Sequence, residues 1–202
     1  MTTRVPGLPP LHWTGLDGTA HLDSDTGSLT LVSAAGVDWT NDAAGGPQQH
    51  GATALAFPAP DGDFVFSARV TVHGERTTFD AGALALWSDR DHWAKLCDEH
   101  SPQGEDMVVS VVTDGFSDDG NGRLLSGPSV SLRIARVGPV FAFHASDDGV
   151  TWDFVRTFRL DPGAQPFSVG FLAQAPLGDG CTVTFDLIAL AAGTLADLRD
   201  GS

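Results

Sequence analysis

The segment of this sequence richest in chemistry is Trp93-Ala94-Lys95-Leu96-Cys97-Asp98-Glu99. In an extended chain, side chains two apart share a face, so Trp93, Lys95, Cys97 and Glu99 stand together while Ala94 and Leu96 turn the other way. Lys95 is the only lysine of the chain. A cation and a carboxylate four residues apart on a strand can flank one small polar ligand from two sides, or can form a surface ion pair of about 0–1 kcal/mol. Ser131 and Arg133 alternate with Val130, Leu132 and Ile134, so Arg133 is also expected to point away from the core. Trp39 lies in 36–51 (GVDWTNDAAGGPQQHG), which lacks a strand pattern. Its length, beyond that of most connections, suggests a functional or partly mobile loop. Lys95, Glu99 and Arg133 are thus expected on a polar face shared by several strands.

Other chemistries find less material. Glycoside hydrolysis needs two carboxylates, about 5–5.5 Å apart for retention or 6.5–9.5 Å for inversion. Glu99 is the one catalytic candidate, as general acid or base with Lys95 adjusting its pKa, and no neighbouring strand position supplies an obvious second acid on its face. No nucleophile elbow, Walker loop or dinucleotide fingerprint occurs. The acids of 114–122 (DGFSDDGNG) do not follow calcium-loop spacing, and the seven histidines are not spaced as a zinc-binding helix. Neither a metal nor another cofactor is expected. Ser146-Asp147-Asp148-Gly149 before Trp152 looks like the Asp-box hairpin of sialidase-type propellers, one residue shorter. It occurs once, which suits a tight turn and not a propeller.

The elements that must position these residues are strands. Twenty-four Gly and 12 Pro break the chain into short apolar runs at the spacing of an all-β sandwich. The clearest run is 63–72 (DFVFSARVTV), with Phe64, Phe66, Ala68, Val70 and Val72 on one face. Further runs at 28–32, 53–57, 81–87, 93–99, 107–113, 130–136, 140–145, 152–158, 168–173 and 181–190 bring the expectation to about eleven strands in two packed sheets. Turn clusters separate them, among them Asp118-Asp119-Gly120-Asn121-Gly122. One domain over 1–202 is expected, with a core at about 10–190 and a short C-terminal tail.

With 42% hydrophobic and 18% charged residues, the chain is globular and not disordered. Eleven Lys+Arg against 26 Asp+Glu give a net charge of -15, which repels duplex nucleic acid and anionic membranes. The opening MTTRVPGLPP has no signal-peptide core, and a cytoplasmic location is expected. Cys97 and Cys181 are then reduced structural thiols.

Several of these residues fall in an order that resembles the DUF1349 family: Val37-Asp38-Trp39, Phe79-Asp80-Ala81-Gly82, Trp93-Ala94-Lys95 with Glu99, and Val111-Val112-Thr113. Leu132-Arg133 with Arg136, Ser146-Asp147-Asp148-Gly149 with Trp152, Val169-Gly170, Ala175-Pro176 and Val183-Thr184-Phe185 continue it. The resemblance implies a concanavalin A-like jelly roll whose concave face holds sugar in related lectins and glucanases. It places Trp39, Lys95, Glu99 and Arg133 on that face as the candidate ligand-binding residues, an exposed tryptophan stacking on a sugar ring while the charged side chains meet its hydroxyls. The glutamate-x-aspartate-x-glutamate strand of the glucanases is absent, and Ala145 stands where the family has an aromatic. The expected function is non-catalytic binding of a carbohydrate or small polar molecule. The alternatives are a sugar-active enzyme using Glu99 and a regulatory protein-interaction module, since the family includes a yeast regulator of enolase.

Overall fold

A computed structural model describes residues 3–202, all of them in strands, turns or irregular segments. In chain order the strands are β1 (His12–Trp13), β2 (Thr19–Leu22), β3 (Leu29–Val32), β4 (Trp39–Asn41), β5 (Gln48–His50), β6 (Ala54–Pro58) and β7 (Phe64–His73). There follow β8 (Ala81–Asp89), β9 (His92–His100), β10 (Asp106–Asp114), β11 (Phe116–Leu124) and β12 (Ser129–Val137). The last are β13 (Val140–Ser146), β14 (Asp153–Arg159), β15 (Ser168–Gln174) and β16 (Thr182–Ala192). One seven-stranded sheet runs β1-β6-β15-β8-β9-β10-β11, the other β14-β13-β12-β7-β16-β3-β2, and β4-β5 form a separate hairpin. All pairings are antiparallel. This is a jelly-roll β-sandwich, the all-β class expected from the spacing of the apolar runs.

The inner faces interdigitate through aromatics, because alternate positions of each strand are apolar. Phe64, Phe66, Ala68 and Val70 of β7 are buried, and Phe66 meets Phe171 of the opposite sheet at 5.3 Å between ring centroids. At Gly82 the sheets pack too closely for a side chain: a Cβ there would stand 2.4 Å from Val183 and 2.7 Å from Val70.

The sixteen strands exceed the expected eleven by β1, β2, β4, β5 and β11, and two of these segments bear on the site. The turn cluster 118–122 is part of β11, an edge strand paired only with β10. An edge strand with a solvated face needs no apolar alternation. The segment 36–51 holds the β4–β5 hairpin, too short for a periodic pattern to show. Its Asn41 donates to the backbone carbonyls of Arg90 and Gly115 and accepts from His50. The hairpin is thereby pinned to the β8–β9 and β10–β11 turns.

Candidate functional site

The outer face of the first sheet is built from three adjacent rows given by strand register. One runs Gln174, Ala81, Glu99, Met107; the next Leu172, Ala83, Cys97, Val109, Asn121; the third Ala56, Gly170, Ala85, Lys95, Val111, Asp119. The centre of this face is shallow, since Ala81, Ala83 and Ala85 of β8 and Gly170 of β15 are its small residues. The β4–β5 hairpin fills that depression with Trp39, whose ring lies 4.6 Å from Trp87 and 5.6 Å from Trp93. Trp39 is only 1% exposed and its indole N–H donates to the Ala52 carbonyl at 2.6 Å. The expectation of an exposed stacking platform at Trp39 is therefore corrected: the indole seals the sheet.

Lys95 is buried beneath this hairpin. Its ammonium donates to Asp38 Oδ1 at 3.0 Å, the Trp39 carbonyl at 2.8 Å and Gln174 Oε1 at 2.8 Å. An ammonium has three N–H bonds, so Lys95 keeps none for a ligand. Burial opposes its charge, but neighbouring carboxylates, chiefly Asp38, outweigh that and raise its pKa. Lys95 is the internal pin of the site.

Next to the pin opens a cavity of about 540 Å³ bordered by Asp38, Trp39, Gln49, Phe79, Lys95, Glu99, Asp119, Asn121 and Leu177, among others. Among the described residues, the side chains of Gln49, Glu99, Asp119 and Asn121 have no hydrogen-bond partner in the protein. Burial pushes Glu99 up to about 7; Lys95 opposes the rise while Asp38 and Asp119 add to it. Asp119 is likewise raised, first by burial. Asp38 and Asp119 thus share the cavity with Glu99, Asp119 from a segment read as a turn. Among the described residues, no three His, Cys, Asp or Glu side chains converge closely enough to hold a metal ion.

The rim supplies the free aromatic. Phe79 is 38% exposed and has φ of +70°, in the left-handed region that a bulky residue enters at a cost of about 1–2 kcal/mol. Surrounding bonds enforce this conformation. The Phe79 N–H donates to the His100 carbonyl at 2.7 Å, and its carbonyl accepts from Gln174 Nε2 at 3.0 Å. Arg76 braces the same turn, donating to the Asp80 and Asp98 carbonyls and pairing with Asp98 Oδ1 at 2.7 Å. Strain held in place by such a network often marks a working site. A dihedral leaves no trace in composition, so Phe79 had only its place in the family pattern to point to it.

Arg133 does not join this cavity, and the expectation that it shares a face with Lys95 is corrected. It lies on β12, in the other sheet, on that sheet's outer face beneath residues 193–202. Its Nη2 donates to the Gly201 carbonyl at 2.9 Å, and its guanidinium stacks over Trp152 at 4.3 Å. Alternation fixed that Arg133 leaves the core but not which of the two outer faces it reaches. Trp39, Lys95 and Glu99 do come together.

The family described as "Protein of unknown function (DUF1349)" has a sequence profile that matches residues 16–192. A functionally unknown protein from Saccharomyces cerevisiae is similar in structure with a TM-score of 0.80 at 24% identity, over 92% of this chain and 97% of that one. The carbohydrate-binding module CBM66 from Bacillus subtilis gives 0.54 at 14% identity, over 89% and 95%. The GH43 protein BlXynB from Bacillus licheniformis gives 0.66 at 13% identity, over 83% of this chain but 33% of that one. At these identities the likenesses show the fold. No curated protein matches the sequence.

Proposed function

The chain belongs to the DUF1349 family, and from that premise we propose that it binds a neutral, polyhydroxylated small molecule, a carbohydrate above all, in the cavity beside Lys95. The observation that carries this reading is the division of labour in the cavity. Lys95 is fully used within the protein, whereas Gln49, Glu99, Asp119 and Asn121 have unused hydrogen-bonding capacity under an exposed aromatic, Phe79. A sugar ring offers an apolar face to Phe79 and hydroxyls to the amides and carboxylates. The CBM66 likeness supports a sugar ligand on the strength of fold alone.

A neutral-glycan array followed by titration calorimetry tests the reading. Phe79→Ala and Asn121→Ala are each expected to weaken binding about tenfold, or ~1.4 kcal/mol. Retained affinity in both variants removes the site. A second reading, hydrolysis of a glycosidic bond, draws on Glu99 at about 7, where a general acid works best near neutral pH. It requires turnover of aryl glycosides that Glu99→Gln abolishes; binding without turnover decides for the first.

A further inference from the structure

Outside this cavity, one charged cluster stands apart. Arg133 is 6% exposed, yet among the described residues no carboxylate lies within ion-pair distance of it. Five other arginines, Arg69, Arg76, Arg123, Arg156 and Arg159, each have an aspartate partner. Burial alone lowers the Arg133 pKa to about 10, with no acid offsetting it. Its neighbour across the β12–β13 ladder is His144, fully buried, whose Nε2 donates to the Leu198 carbonyl at 2.7 Å. Arg133 Nε and His144 Nδ1 are both buried without a partner. A buried cation normally requires an anion, because desolvating it costs several kcal/mol.

The segment above this pair meets it with the wrong groups. Residues 197–201 carry two aspartates, but Asp197 Oδ1 accepts from the Arg199 N–H and Asp200 Oδ1 from the Ser202 N–H. The hydrogen bonds this segment makes to the pair are through peptide carbonyls, Gly201 to Arg133 and Leu198 to His144. The fit is close, since a Cβ at Gly201, with φ of +75°, would lie 2.2 Å from Arg133 Nη2 and 3.2 Å from Trp152 Cβ. The segment is otherwise largely exposed.

We propose that Arg133, His144 and Trp152 form a second binding site, for a small carboxylate, which residues 197–201 occupy with their own carbonyls until the ligand replaces them. A planar carboxylate suits the fork of a guanidinium better than one carbonyl does. It also supplies the counter-charge the cluster lacks. The site is independent of the sugar cavity, because it lies on the other sheet.

The test uses the full chain, with succinate as probe at fixed ionic strength. Gly201→Val crowds the turn out of its seat, so succinate is expected to bind roughly tenfold more tightly than to the wild type, as the share of open site rises. The His144 pKa, followed by NMR, is expected to rise on binding, because an anion beside it favours the imidazolium. Arg133→Gln in the Gly201→Val background is expected to abolish both effects. Affinity no higher in Gly201→Val, or binding that survives Arg133→Gln, overturns the proposal. Should a variant fail to fold, hydrogen exchange on the wild type decides: succinate must deprotect the amides of 197–201, and unchanged protection also overturns it.

Discussion

The side chain of Lys95 borders the cavity yet spends all its donors inside the protein. Its three donors end on the hairpin (Asp38, Trp39) and on β15 (Gln174). Lys95→Met leaves the Asp38 carboxylate uncompensated, and an unfolding titration is expected to show a loss of about 3 kcal/mol. Glu99 behaves in the opposite sense. Its folded-state pKa of about 7 lies above the ordinary 4.5 of a glutamate, so the unfolded chain releases that proton first. The group therefore subtracts stability progressively as pH rises from about 4.5 to 7 and subtracts none below. Glu99→Gln is expected to match the wild type in melting temperature near pH 4 and to exceed it near pH 8. A variant melting lower at pH 8 contradicts that assignment. The alternation that groups Lys95 with Glu99 was legible in the sequence. The saturation of Lys95 was not, since its partners lie 56 to 79 residues away along the chain.

At the scale of elements, the site depends on what small residues leave open. Ala81, Ala83, Ala85 and Gly170 form a floor shallow enough for the β4–β5 hairpin to dock its indole. Trp39→Ala empties that seat, and the expected cost is about 3–5 kcal/mol by chemical denaturation. Gly170 cannot change either: a Cβ there would lie 2.3 Å from the Leu55 carbonyl oxygen and 2.5 Å from Ala56 Cα. Both obstacles are backbone of β6, so Gly170→Ala is expected to separate β15 from β6 and to cost more than the ~1–3 kcal/mol of ordinary overpacking. Long strands such as β7 were readable because burial on one face imposes a period of two. The hairpin and β11 were not, because three residues make no period and a solvated edge tolerates Asp118, Asp119 and Asn121. That is also why Asp119 went unrecognised on the cavity of Glu99, and why Arg133 was assigned to the wrong outer face: strand pairing, which alone distinguishes the sheets, is nonlocal.

The whole molecule carries a net charge of -15, and the cavity beside Lys95, proposed to take a sugar, is lined by Asp38, Glu99 and Asp119 against one internally paired cation. Acidic sugars are therefore expected to bind more weakly than their neutral counterparts, with the gap narrowing as salt rises from about 0.01 M to 1 M and the screening length falls from about 30 Å to 3 Å. Calorimetry with glucose and glucuronate at both salt concentrations checks this. Burial raises both thiol pKa values, Cys97 well above its ordinary value and Cys181 to about 12. Neither is expected to react with a thiol reagent until the sandwich opens.

The burial of the single lysine reaches beyond the site. A protease specific for lysine has one bond to cut in this sequence, after Lys95, in the interior strand β9 and flanked on both sides by hydrogen-bonded neighbours. Local fraying of the termini or of the outer loops gives it nothing to cleave. Digestion with such an enzyme thus reads the opening of the sandwich itself, and the rise of two fragments over time is a direct clock for global unfolding.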